Sequence, residues 1–132
     1  MAGRRPRLRL LLDSHVLVWS FMDRTVLRAD TLAAMSDRTN EVYVSAVTPW
    51  ELEIKRASGK LGAPADLLAR IDSTGLLELP VSFEHGIVAG RLPLHHKDPF
   101  DRMLVAQAQV EGLTLVTDDA KLARYNVPIL RA

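Results

Sequence analysis

Two aspartates stand three apart in the string HHKDPFDRMLVAQA, Asp98 and Asp101, on either side of a Pro–Phe pair that opens an apolar-periodic run. One carboxylate is enough to cap a helix. The second is therefore either the acidic partner in a capping pair or a ligand for a cation. Other acids raise the same question. Asp13 ends an apolar run, Glu51 follows Thr-Pro-Trp, and Asp118 and Asp119 directly follow TLVT. Each alone has a plain structural role: a strand-end turn residue, a Thr48–Glu51 capping box, an Asp98–Asp101 capping pair, a cap on the last helix. Acids in a first helical turn gain roughly 0.3–1 kcal/mol from the helix dipole. Gathered at one place they repel, because like charges about 4 Å apart cost roughly 4 kcal/mol at an effective dielectric near 20. Convergence therefore implies a cation, and all-oxygen donors suit Mg²⁺ or Mn²⁺ rather than zinc. The histidines do not change this reading. His95 and His96 are adjacent, not at metal-ligand spacing, and read as a polar loop, while His15 and His85 read as isolated structural residues.

The elements that must position these acids alternate in type. Leu8–Leu12 reads as a buried strand, followed by helices over Val16–Met22 and Asp30–Ser36. Glu41–Ser45 is a β-branched strand, and TPWE opens a helix running past Lys55 towards Gly59. A helix over Pro64–Ser73, a strand in LLELPV and a helix capped by Ser82 come next. The DPFD helix follows and stops at Gly112. TLVT (Thr114–Thr117) is a fourth strand, Asp118–Arg124 a short helix, and VPIL an edge strand, since Pro128 would be costly in a central one. Short apolar strands alternating with helices predict a three-layer α/β/α sandwich around a parallel sheet of about five strands. In such sheets chemistry collects beyond the carboxyl ends of the strands. Asp13, Glu51, Asp118 and Asp119 belong to that edge, whereas topology alone does not force Asp98 and Asp101 there.

With 132 residues the chain is expected to form one domain, and its net charge of +1 identifies no partner. Arg4, Arg5, Arg7 and Arg9 crowd the start, so residues 1–7 read as a basic extension to a domain over 8–132. The absence of cysteine excludes disulfides and thiolate chemistry and agrees with a cytoplasmic location. Asp13 and His15 break the run LRLLLDSHVLVWSFM short of a bilayer span, so neither export nor a membrane span is expected.

The strings LLLDSHVLVW, VSAVTPWELEIKRASGKL, HHKDPFDRMLVAQA and GLTLVTDDAKLARY, in this order, resemble the PIN-domain family, in particular the VapC-like ribonuclease toxins of bacterial toxin–antitoxin pairs. The resemblance runs from Leu8 to Leu130. It implies an acidic quartet at Asp13, Glu51, Asp101 and Asp119, holding one or two Mg²⁺ ions for hydrolysis of RNA phosphodiesters. It selects Asp101, which precedes LVAQA, and Asp119, which follows a Thr-x-Asp pattern. Ser14 and Thr117 match positions where the family often carries hydroxyls.

Under this reading Asp98 is the cap, Pro99 sets the first turn, Phe100 anchors it in the core and Asp101 is aimed at the metal. Asp118 is an extra acid whose role the pattern leaves open. Lys55, Arg56, Lys97 and Arg102 flank the site as candidate phosphate contacts. The resemblance also implies a cognate antitoxin, for which Val16–Met22 and the next helix offer a groove, and a homodimer. Two other classes stay in view: a PIN-like module kept only for binding, and a receiver-type phosphoacceptor domain. The receiver usually has an acid pair after its first strand, where this chain has only Asp13.

Overall fold

The computed structural model describes residues 7–60 and 63–132. Arg4 and Arg5 of the basic extension lie outside the described residues, while Arg7 and Arg9 both pair with Glu41, at 3.3 and 3.2 Å. Five strands form one sheet: β1 (Arg9–Leu12), β2 (Glu41–Ser45), β3 (Leu77–Leu79), β4 (Thr114–Thr117) and β5 (Ile129–Arg131). All neighbouring pairs are parallel, in the order β3-β2-β1-β4-β5. This order separates the chain from receiver domains, whose sheet runs 2-1-3-4-5.

Six α-helices cover the sheet: α1 (Ser14–Met22), α2 (Ala29–Ser36), α3 (Val47–Ala57), α4 (Leu67–Ser73), α5 (Phe83–Arg91) and α6 (Pro99–Glu111). Strand alternation explains the layers, because successive side chains face opposite ways. Leu10, Leu12, Val42, Val44 and Val116 point into one core with Val16 and Leu17 of α1, Leu52 of α3, and Leu67 and Ile71 of α4. Leu11 and Leu115 point into the other, against Ala89 of α5 and Leu104, Val105 and Ala108 of α6. The expected three-layer sandwich is the observed one. No described helix is long and apolar enough to cross a membrane.

Several boundaries differ from expectation. β3 ends at Leu79 because Pro80 has no N–H to continue the ladder. α4 starts at Leu67 instead of Pro64. The expected helix over Asp118–Arg124 shrinks to a 3₁₀ turn at Leu122–Arg124, because Thr117 and Asp119 tie the preceding residues into a side-chain-bonded turn. The chain from β3 back to β4 runs through the packed pair α5 and α6 on the second face. It is this crossover that brings the start of α6 to the carboxyl edge of the sheet.

Candidate metal centre

β1 carries Asp13 out of the sheet between β2 and β4, with Leu12 paired to both Val44 and Val116. The Asp13 N–H extends the ladder to Val116 O at 3.0 Å. Its side chain then caps α1: Oδ1 accepts from Val16 N at 2.9 Å, and Oδ2 accepts from the Thr117 hydroxyl at 2.5 Å. Only 5% of the residue is exposed. Burial pushes its carboxyl up, the Thr117 and Val16 hydrogen bonds pull it back, and nearby Glu51 raises it again. Ser14, beside it, is buried as the first residue of α1.

Glu51 is buried on α3, and its Oε2 accepts from Lys55 Nζ at 2.7 Å, one turn on. Burial draws the Lys55 ammonium down, but the Glu51 hydrogen bond and the charges of Glu51, Asp98 and Asp101 leave it raised. The expected Thr48–Glu51 capping box does not form. α3 begins at Val47, whose N–H goes to Ser45 Oγ at 3.2 Å, and the start of the turn is fixed by Ala46 N donating to Leu79 O at 2.9 Å. Thr48 falls inside the first turn, and its buried hydroxyl has no protein partner.

On α6 Asp98 is the cap, its Oδ1 accepting from Phe100 N at 2.8 Å and Asp101 N at 3.3 Å, with Pro99 in the first turn. Gly112, at φ 70°, closes the helix in the left-handed conformation that glycine adopts without strain. Phe100 does not reach the core. It sits half-buried, edge-on to the exposed Trp50 at 5.1 Å between ring centres, so the aromatic pair joins α3 to α6 beside the acids. Asp101 lies beside His96, its Oδ2 3.1 Å from Nε2. Its carboxyl is pushed up to about 7, first by burial and then by Asp98; His96 opposes the shift, while Glu51 and Asp13 add to it. Asp13, Glu51, Asp98 and Asp101 therefore share one electrostatic environment, although four separate stretches of chain were needed to assemble the whole centre.

The fourth stretch is the turn after β4. Asp119 N donates to Thr117 Oγ1 at 3.1 Å, its Oδ1 accepts from Lys121 N at 2.9 Å, and its Oδ2 is 3.0 Å from His96 Nε2. Asp118 is exposed and turns to Arg131 instead, at 3.5 Å. One hydrogen-bonded chain thus runs from Asp13 through Thr117 and Asp119 to His96, with Asp101 against the same ring nitrogen. His96 corrects the polar-loop reading: one donor atom each from His96, Asp101 and Asp119 fall within 4.8 Å of one another.

Arg102 also departs from its expected role. Its guanidinium donates to Ala89 O, Leu92 O, Pro93 O and His96 O at 2.9–3.3 Å. It ties the end of α5 to the start of α6, with both terminal nitrogens engaged by backbone carbonyls. Arg56 is exposed and pairs with Glu53 at 3.3 Å, while Lys97 is exposed beside the cap.

Because Asp98 serves the helix, Asp98→Ala is expected to cost about 1 kcal/mol of stability. It should leave cleavage measurable and the stabilisation by Mg²⁺ intact. Thermal melts with and without the ion check this; loss of the Mg²⁺ increment would move Asp98 into the ligand set.

The donors fit a hard divalent cation. They are carboxylate oxygens in a buried setting that raises the Asp101 carboxyl, with neighbouring acids adding to the shift, and the Lys55 ammonium lies against Glu51. No curated protein sequence matches the chain significantly. Among solved structures, a chain of VapBC2 from Rickettsia felis bound to a DNA fragment from their promoter superposes with TM-score 0.71 at 17% identity, covering 94% of this chain and 98% of that one. DNA-bound VapBC from Salmonella typhimurium gives 0.70 at 19%, with 94% and 98% covered. VapBC-5 from Mycobacterium tuberculosis, a member of the VapBC family of toxin–antitoxin systems, gives 0.54 at 19%, with 93% and 96% covered. The PIN domain family model matches residues 10–128, from the central strand to the residue before β5. On that match the chain belongs to the PIN domain family.

Proposed function

We propose that the chain is a metal-dependent endoribonuclease, the toxin of a toxin–antitoxin pair, with residues 8–132 as the nuclease unit. The observation that supports this reading is the linked arrangement of Asp13, Thr117, Asp119, His96 and Asp101 at the carboxyl edge of the sheet, with the buried Glu51 held by Lys55. Asp13, Glu51, Asp101 and Asp119 would hold Mg²⁺, or Mn²⁺ in its place. When bound, the ion lowers the pKa of a coordinated water and offsets charge on the scissile phosphate. Thr117 fixes the Asp13 carboxylate, Lys55 steadies Glu51, and the capped first turn of α6 aims Asp101. Lys97, Arg56 and Lys55 would meet the RNA backbone.

The structural neighbours named above are toxin–antitoxin complexes, and that favours an antitoxin as partner here. A groove of about 550 Å³ between α1 and α2, lined by Ser20, Phe21, Met35 and Leu76 among others, would seat it. Homodimerisation belongs to the same proposal.

Purified protein is expected to cleave total RNA with Mg²⁺ or Mn²⁺ and to stop in excess EDTA, and sequencing the new ends gives the cut site. Metal at a hundred times its dissociation constant should stabilise the fold by roughly 2.7 kcal/mol. Undiminished cleavage in EDTA, with contaminating nuclease excluded, sinks the mechanism. RNA binding without cleavage under any divalent ion would leave a binding module.

A further inference from the structure

We infer that His96 is a positioning residue that holds Asp101 and Asp119 together as a neutral imidazole, donating through Nε2–H, and is not itself a metal ligand. The inference rests on the metal reading of the centre and assigns a role within it to a residue outside the acidic quartet.

The tautomer follows from the opposite ring nitrogen. Asp98 N–H points at His96 Nδ1 at 3.0 Å, so Nδ1 must present a lone pair. In a neutral ring the proton then sits on Nε2. That nitrogen hydrogen-bonds Asp119 Oδ2 at 3.0 Å, and Asp101 Oδ2 lies against it at 3.1 Å, so the ring stands between the two carboxylates. A protonated ring nitrogen has no lone pair to give a cation. The other tautomer, which could ligate, would set Nδ1–H against the Asp98 N–H.

The backbone leaves the ring little freedom to change this. His96 N donates to Tyr125 Oη at 3.0 Å, and its carbonyl accepts from Arg102 at 3.3 Å. Tyr125 is anchored in turn, donating to Pro93 O at 2.7 Å. The ring is thus held at both nitrogens and the backbone at both polar groups. The same Asp98 whose N–H fixes the tautomer also caps the helix that carries Asp101. Partners of this kind, which orient a ligand without touching the ion, typically change metal affinity 10–100-fold when removed.

Two amide substitutions separate the two ring nitrogens. His96→Asn keeps an acceptor near Nδ1 and loses the bridging donor; His96→Gln keeps a donor near Nε2 and loses the acceptor for Asp98. The expected result is a crossed pattern. His96→Asn should melt close to the wild type without metal, yet bind Mn²⁺ about 10–100-fold more weakly, with cleavage recovering as Mn²⁺ is raised. His96→Gln should melt lower but retain Mn²⁺ affinity within about threefold, well inside the 10–100-fold cost of losing such a partner. Equal weakening by both variants, as for a direct ligand, or wild-type affinity in His96→Asn, overturns the inference. ¹⁵N spectra of the metal-free protein should show His96 protonated at Nε2 and bare at Nδ1, unchanged on adding Mg²⁺; the reverse tautomer also overturns it. A wild type that has the Nε2–H tautomer but binds no Mn²⁺ overturns the metal reading instead.

Discussion

Asp101→Asn is expected to stabilise the metal-free protein at pH 8 while reducing RNA cleavage by more than about a hundredfold, beyond what the loss of an orienting partner costs. The stability effect follows from a carboxyl that ionises at about 7 in the folded chain against an ordinary value of 3.8. Well below 3.8 the acid is protonated in both states and contributes little. As pH rises towards 7 the unfolded chain ionises first, so the folded state holds more protons and loses stability. Above 7 the penalty is complete, roughly 4 kcal/mol at most. An amide removes the charge and forfeits about 0.3–1 kcal/mol of helix-dipole attraction. A net gain of roughly 2–3 kcal/mol at pH 8 is expected, falling by more than half at pH 5. Denaturant melts at the two pH values measure it. Saturating Mg²⁺ should narrow the gap by stabilising the wild type alone. An equal gain at both pH values would mean that Asp101 is not the strained acid of the centre.

Arg102→Met should be the most destabilising single change outside the hydrophobic cores, and should leave RNA affinity almost untouched. Four carbonyls at the end of α5 and in the following loop depend on one guanidinium. Hydrogen bonds to a charged group contribute about 1.5–3 kcal/mol each when fully buried. Arg102 is half-buried, so a total loss of roughly 3 kcal/mol is expected, lowering the melting temperature by about 10 °C. Lysine cannot reproduce the planar fork, and Arg102→Lys should recover less than half of that loss. The check pairs thermal melts with the KM for RNA measured well below the melt. A raised KM without destabilisation would return Arg102 to the phosphate contacts.

The sequence could be read to the residue where its signals are local. Glu41–Ser45 and Thr114–Thr117 are short β-branched runs with turn residues on both sides, and they are β2 and β4. Asp98, Pro99 and Gly112 punctuate α6 within the chain itself. What escaped depends on partners far along the chain. The start of α3 is set by a bond to Leu79, so the Thr48 pattern misled. Phe100 looked like a core residue until Trp50 met it from another helix. Arg102 and His96 looked like a surface cation and a loop residue, because neither the carbonyls of the α5 turn nor Asp119 can be placed beside them by spacing alone.

The position of β1 in the sheet also sets a clock. It is the first strand made, yet Asp13 meets Thr117 across 104 residues of sequence. At synthesis rates of about 5–20 residues per second, β1 waits roughly 5–20 s for β4. Throughout that interval β2 can cover one side of β1, but its other side stays unpaired. Such distant pairing is slow to form and leaves the acid cluster incomplete until nearly the whole domain has emerged. Under the proposed function, the cleaving centre is completed only after β4 has left the ribosome.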